Sequence, residues 1–529
     1  MAEAILKTGE NGYNEMEFQG RRIPFRSILD LEERPMGEEG RPSFYLDLNL
    51  NQVIDRICRD WGADTASFYY YFPANAACED YRREIYEDIR DGGCFKGLCR
   101  FLTDMQARSE AACKKEEVRE KMQKAAWHMK EILCYCEAVE KLYQELDQLT
   151  LGSKGMIAFR AYLQQYLASA EFKDMREKAA AIRDSLMGFR LRVVYENDRM
   201  TVTLGETEGA YDKFLRESFP ERKQEMEELL GNSVSLSELE SELVRILQKQ
   251  SPAIFKSLWK FYRSYGDYAS QTLLRFASEI RFYLSFYRFA EQMGEKGFSF
   301  ARPCYHRAEM SAEGLYDLAL ACGRGEEHEI VSNDFRYGQG ERIFVLTGPN
   351  QGGKTTFARS LGQLVYFTKM GLDVPARSAQ MFRFTELLTH FSVEESVETG
   401  RGKLKEELVR LAPMMELVRN ASGAAGEREY CGFVIINELF TTAANYDACI
   451  MGKRVLEHFL SEGCMGIYVT HLKELAKERG GIVSLRAMVD PLGRRNFHIA
   501  RGEALESAGA VNQVRKYRLT YEELKRRLS

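Results

Sequence analysis

The chain has 529 residues, 45% of them hydrophobic and 29% charged, with a formal net charge of −5. At roughly 150 residues per domain that length allows three to four domains, and the apolar fraction is ample for burying cores, which excludes a largely disordered chain. Eleven prolines and 41 glycines exclude collagen-like and proline-rich classes, and the acidic balance excludes a globally basic nucleic-acid binder while leaving room for a local basic face.

No apolar run approaches the roughly 18–20 residues that a membrane helix needs. The start, Met1-Ala2-Glu3-Ala4-Ile5-Leu6-Lys7, lacks the charged-then-apolar order of a signal peptide, so a cytoplasmic protein with no membrane partner is expected. Twelve cysteines are scattered along the chain. The pairs Cys94/Cys99 and Cys134/Cys136 have no second pair at zinc-site spacing, and reduced thiols acting as small hydrophobes are expected.

In chain order, residues 1–42 mix charge, Gly and Pro without period and read as an adaptable arm. From Pro73 to Pro220 no proline occurs, and Ala, Glu, Lys, Arg, Met and Leu dominate. Ile85, Ile89, Phe95, Leu98, Phe101, Leu102 and Met105 recur at helical spacing, and residues 114–149 continue the pattern; long packed helices follow. Two alternating runs, 189–195 and 199–204, flank Glu196-Asn197-Asp198 and predict a β-hairpin. Ser251-Pro252 reads as an N-cap with Pro at the first helical position. The stripe Ile254, Leu258, Phe261, Tyr265, Leu273, Phe276, Ile280, Tyr283 and Tyr287 then reads as helical packing surface rather than a cofactor box. From about Ala301, short β-rich runs (343–346, 433–436 and 467–469) alternate with helical patterns, the rhythm of α/β layering with a mostly parallel sheet.

The strongest chemical signal is Gly348-Pro349-Asn350-Gln351-Gly352-Gly353-Lys354-Thr355-Thr356. It fits G-x-x-x-x-G-K-[ST] and lies between a β run and a helical one. Backbone N–H groups of such a loop converge on phosphate oxygens at a helix N-terminus. Lys354 would reach the β/γ-phosphates of ATP or ADP, and Thr355 would offer its hydroxyl to Mg²⁺. The apolar run 433–436 ends in Asn437-Glu438. There Glu438 suits the task of orienting or deprotonating water, and Asn437, being neutral, would meet Mg²⁺ less well than a carboxylate, or through water. A third run, 467–469, ends in Thr470-His471, where an imidazole could address the γ-phosphate.

These segments together closely resemble the MutS ATPase, with its G-P-N-x-G-G-K-[ST] loop and V-P-A continuation (here Val374-Pro375-Ala376). Ile436-Asn437-Glu438-Leu439 with Asn445-Tyr446-Asp447 resembles its Walker B and D-loop, and Thr470-His471 to Glu474-Leu475 its T-H-x-x-E-L switch. Ser332-Asn333-Asp334 is similar to its P-N-D segment, Ser507-Ala508-Gly509 to its late S-x-G, and the remainder to Leu528 to its C-terminal helices. Residues 44–50, 68–84 and 271–303 resemble its helical core and returning lever.

The resemblance implies a multidomain fold. An all-α core and lever region (43–300) would carry a small β clamp insertion (188–245), and an α/β P-loop ATPase domain of ABC type (301–529) would follow, with C-terminal dimerisation helices. It also implies a homodimer with composite nucleotide sites, in which ATP binding and hydrolysis move levers around a nucleic acid, DNA favoured and read by structure. Direct mismatch reading is disfavoured, because too few residues precede Phe44 for a reading domain.

Departures from the family pattern are specific. The Walker B Asp is Asn437, Gly402 stands where a Ser normally touches the partner's nucleotide, and residues 440–444 lack the G-R-G-T-S run. These favour an alternative, a nucleotide-gated binding or scaffold protein with little turnover, whereas Glu438 and His471 favour the enzyme. Arg190, Arg192, Arg199, Arg216, Arg222 and Lys223 near the hairpin could form a DNA-clamp tip or, with Glu196, Glu206, Glu208 and Glu217, a mixed-charge solvated surface. Lys403 and Lys405 read either as phosphate contacts across a dimer or as an exposed helix face.

Overall fold

The structure is a computed structural model. It describes residues 6–8, 14–18, 21–31, 41–73, 75–91, 93–189, 191–196, 199–204, 238–306, 309–324, 330–391, 402–422, 430–490, 494–503 and 521–528. The chain divides into two compact units, Met1–Ser27 with Glu87–Ile280, and Ile28–Tyr86 with Arg281–Ser529. That division differs from a boundary at residue 300, because residues 43–86 cluster with the C-terminal part of the chain.

The first unit is mainly helical. Helices Cys94–Glu117 and Lys121–Asp147 are joined by three residues. The Glu120 carboxylate caps the second by accepting from Gln123 N at 2.7 Å. Its buried stripe Ala125, Met129, Ile132, Tyr135, Val139, Leu142 and Leu146 recurs at three- and four-residue steps, one face of a helix. Ser153 and Ser169 cap the next two helices, Lys154–Ala168 and Ala170–Met187, through Met156 N and Phe172 N, each at 3.2 Å. Phe159 and Phe276 stack with ring centroids 3.6 Å apart. Within this core Glu131 is 2% exposed. It accepts from Arg108 at 3.1 Å, Lys115 at 3.0 Å and Tyr268 at 2.8 Å, which offsets the cost of burying its charge.

The expected hairpin is present as Leu191–Glu196 paired antiparallel with Arg199–Leu204. The side chains of Arg190, Arg192, Arg199 and Glu196, and residues Glu206, Glu208, Arg216, Glu217, Arg222 and Lys223, lie outside the described residues, as does the rest of the insertion up to 237. Ser251 takes the N-cap position of helix Pro252–Ser264 with Pro at its first residue, but its side chain makes no cap hydrogen bond. In the arm, strands Leu6–Thr8, Asn14–Phe18 and Arg21–Pro24 form an antiparallel sheet, where an aperiodic sequence gave no strand signal.

The second unit combines a six-stranded sheet with a four-stranded one. Strand order in the larger sheet is Phe384–Phe391, Tyr430–Asn437, Met465–Val469, Ile343–Thr347, Ile482–Val489 and Arg495–Arg501; the first five are parallel and the last antiparallel. The central strands Ile343–Thr347 and Met465–Val469 are buried throughout, which explains their unbroken apolar sequences. The smaller sheet runs Pro303–Tyr305, Ser378–Met381, Met310–Leu315 and Asn333–Tyr337. Inside this unit Lys369 and Glu79, both nearly inaccessible, pair at 3.0 Å, and Arg383 adds a contact to Glu79 at 3.3 Å.

Candidate functional site

Strand Ile343–Thr347 delivers the chain to the glycine loop, and helix Lys354–Lys369 leaves it. Gly348 has φ 143°, and a Cβ there would lie 2.8 Å from Ala487 Cβ and 3.1 Å from its amide nitrogen. Gly353 occupies the helix N-cap at φ 88°, a left-handed conformation that costs glycine nothing. Between them Asn350 and Gln351 are exposed, and Pro349 O accepts from Gly352 N at 3.2 Å.

Lys354 is only 4% exposed. Its Nζ donates to Gly348 O and Pro349 O, each at 3.0 Å, so the ammonium lies within the curl of the loop. Burial lowers its pKa, and the Glu438 carboxylate opposes that shift. A half-desolvated cation held by neutral carbonyls is a site of unmet demand for an anion.

Register brings the other motif residues to the same sheet edge. Asn437 pairs with Val469, and Val469 with Leu346, so the carboxyl ends of three parallel strands are level. Glu438 N donates to Val469 O at 2.9 Å and Thr470 N to Leu346 O at 3.0 Å, extending the ladder by one step. Asn437, 7% exposed, accepts from Thr355 Oγ1 at 3.1 Å. His471 Nδ1 lies 3.7 Å from Glu438 Oε1, both side chains being partly open to solvent. Glu438 and Phe440 have φ of 56° and 62°. Left-handed conformations at two bulky residues store roughly 1–3 kcal/mol each and set the direction in which Glu438 projects.

Other contributors carried no sequence signal. Glu407, 2% exposed on helix Lys403–Ser422, accepts from Phe440 N at 3.0 Å and pins the turn that follows Glu438. Arg495 donates to the Gln351 side chain at 2.7 Å. Phe497, at φ 61° and 46% exposed, lies beside Gly353. Asn333 holds Phe497 in place, donating to Phe497 O at 3.2 Å and accepting from Ile499 N at 2.7 Å. This gives the Ser332-Asn333-Asp334 segment a concrete task.

In the signature region Gly402 is exposed, and a Cβ added to it would meet no atom within 4 Å. Lys405 is exposed; Gly400, Arg401 and the Lys403 side chain lie outside the described residues, as do Ser507-Ala508-Gly509 and everything from 504 to 520. No cluster of three metal-ligating side chains of the His, Cys, Asp or Glu type occurs among the described residues. The oxygen donors near the loop are instead the Thr355 hydroxyl and the Asn437 amide.

Residues 344–501 match the family model of MutS domain V. Over 150 residues the chain is 31% identical to a DNA mismatch repair protein MutS of Sorangium cellulosum, a stretch covering 28% of this chain and 15% of that protein. It is 26% identical over 181 residues to DNA mismatch repair protein spellchecker 1 of Drosophila melanogaster, covering 33% and 19%. With a MutS of Symbiobacterium thermophilum it shares 28% identity over 218 residues, covering 37% and 24%. The chain thus matches less than a quarter of the length of each of these relatives.

Proposed function

Since the chain is a member of the MutS family, we propose that it is an ATP-binding protein with slow ATPase activity, acting on a nucleic acid in a role related to DNA mismatch repair. The observation that carries this reading is the buried Lys354 ammonium, held by two loop carbonyls at the mouth of a level strand edge that also carries Asn437, Glu438 and His471.

In this reading the amides of residues 348–356 and the Lys354 ammonium bind the phosphates of ATP. The donor set fits Mg²⁺: Thr355 and Asn437 already touch through oxygen-bearing groups, and Mg²⁺ takes oxygen ligands while keeping several waters. Bound there, Mg²⁺ would offset negative charge on the β- and γ-phosphates. Glu438 orients water and takes its proton, and His471, whose Nδ1 lies 3.7 Å from that carboxylate, addresses the terminal phosphate. Phe497 offers an aromatic surface beside the loop.

Composite sites in a homodimer belong to the same reading. Leu408, Val409, Tyr446 and Ile450 are exposed apolar side chains on the two helices after the signature and Walker B segments, a surface suited to a partner copy. The C-terminal dimerisation surface (506–528) lies mostly outside the described residues. Lever movement and a DNA clamp at the hairpin complete the proposal. No described helix is long and apolar enough to cross a membrane.

A second reading, a nucleotide-gated scaffold with little turnover, is favoured by Asn437 and Gly402. Calorimetric titration of ATP with Mg²⁺, joined to steady-state phosphate release with Glu438→Ala as control, separates them. Binding with Glu438-dependent release supports the ATPase, binding without release supports the scaffold, and no binding overturns both.

A further inference from the structure

Helix Pro252–Ser264 contains no Asp or Glu. Its apolar side, Phe255, Leu258 and Phe261, is buried. On the opposite side Lys256, Lys260 and Arg263 are exposed at i, i+4 and i+7, which spans about 10 Å along one helix face. None of the three has a carboxylate partner among the described residues. In a chain whose net charge is −5, this is a local reversal of sign.

The same three cations line a cleft of about 650 Å³ with Trp259, Gln248 and Met122, and among the described residues no acidic side chain contributes to its wall. Trp259, one of three tryptophans in the chain, is half-buried. Tyr262 covers one face of the indole, with ring centroids 5.2 Å apart and planes 19° from parallel, and the indole borders the cleft. The cleft therefore has a positive rim at phosphate spacing and an aromatic wall of the size of a base.

We propose that this cleft binds single-stranded nucleic acid, with Lys256, Lys260 and Arg263 neutralising consecutive backbone phosphates and one unstacked base lying against Trp259. The charge pattern suits a polyanion, and the open aromatic surface selects a strand whose bases are free to leave the stack. A paired duplex offers no such base. An acidic peptide would match the charge but gains little from a flat indole. The proposal rests on the nucleic-acid part of the proposed function.

The test uses the full chain, a fluorescein-labelled oligothymidylate and a labelled duplex, with fluorescence anisotropy across a salt series. Lys256→Glu/Lys260→Glu/Arg263→Glu should weaken oligothymidylate binding by roughly tenfold or more and flatten the log–log salt slope by about 2, from three lost phosphate contacts. Duplex binding should stay within about twofold. Oligothymidylate should quench tryptophan fluorescence in the wild type, and Trp259→Phe should remove that quench. Unchanged oligothymidylate affinity and slope in the triple variant, or equal loss of duplex binding, overturns the proposal. So does displacement of the oligonucleotide by polyglutamate at equal charge concentration. A wild type that binds duplex but no single strand overturns the cleft alone; one that binds neither overturns the nucleic-acid part of the proposed function as well.

Discussion

Thr355 Oγ1 donates to Asn437 Oδ1 at 3.1 Å, tying the first turn of the helix after the glycine loop to the end of a strand two places away in the sheet. The hydroxyl and the amide oxygen thus form one polar unit, whose chain neighbours are Lys354 before Thr355 and Glu438 after Asn437. Whatever changes the charge at Asn437 is felt by all three.

Lys354→Met should reduce ATP affinity by roughly tenfold to a hundredfold, since a charge-assisted phosphate contact is worth about 1.5–3 kcal/mol. Sequence alone places this lysine on a solvated surface, where its loss would leave the fold untouched. In the structure it is buried and satisfies two carbonyls, so the substitution should also lower the unfolding midpoint slightly. Methionine keeps the volume and limits that loss. Unchanged affinity by calorimetry would overturn the phosphate-loop assignment.

The strands at the sheet centre were legible because they are buried on both faces and therefore continuously apolar, as in Ile343-Phe344-Val345-Leu346. The hairpin was legible because two alternating runs flank the Asn197-Asp198 pair in the sequence. Glu407 was not, because its partner is the Phe440 amide 33 positions away and a buried carboxylate on a charged helix looks like a surface one. Nor was Phe497: its task depends on a left-handed backbone and on Asn333, 164 positions distant. Local pattern encodes burial and turn chemistry, whereas contacts between distant polar groups are set by packing.

His390 is the penultimate residue of strand Phe384–Phe391 and is fully buried, with Nε2 donating to Glu407 O at 3.3 Å. Burial, helped by the Arg410 charge, lowers its pKa to about 4. The unfolded chain takes up the proton near pH 6.5, so the unfolded state binds more protons between those values. Stability should be full above pH 6.5 and fall as pH drops toward 4, by about 3 kcal/mol from this residue alone. His390→Gln, which keeps a donor but cannot titrate, should lose less stability than the wild type between pH 8 and pH 5 in urea unfolding. Parallel losses would show that other groups govern the acid transition.

Glu438→Gln should keep ATP binding within a few-fold while reducing phosphate release by roughly a hundredfold or more, the usual worth of a general base. His471→Ala should produce a smaller loss, because its contact with Glu438 is 3.7 Å and partly solvated. A release rate unaffected by Glu438→Gln would mean that the measured activity comes from a contaminant or that another group activates water.

Gly402→Ser tests the second departure from the family pattern. Its Cβ would enter open space, so the substitution should leave stability within about 0.5 kcal/mol, as is usual at the surface. If the missing hydroxyl limits a composite site, phosphate release should rise, with a dependence on protein concentration that reports dimer assembly. An unchanged rate at every concentration would remove Gly402 as the limiting position.

Asn437→Asp should increase hydrolysis. The aspartate keeps the acceptor that Thr355 Oγ1 uses at 3.1 Å, so the polar unit can survive the change while gaining a negative charge beside the expected cation. Mg²⁺ dehydrates reluctantly, and an outer-sphere carboxylate holding its water is enough to strengthen the site. Two effects oppose the gain. Asn437 is 7% exposed, so its new charge is poorly solvated, and Glu438 adds like-charge repulsion from the next residue. Both should raise the carboxyl pKa and weaken the protein without Mg²⁺, and bound cation should reverse both. The variant should therefore melt earlier than the wild type in chelator and show the larger stabilisation when Mg²⁺ and ATP are added. Since each tenfold in rate needs only about 1.4 kcal/mol, a single added charge–metal interaction can supply it. Faster release together with the larger Mg²⁺-dependent shift would identify Asn437 as the brake on turnover. A larger shift without faster release would place the brake at Gly402 or the 440–444 turn, and neither change would remove Asn437 from the cation site.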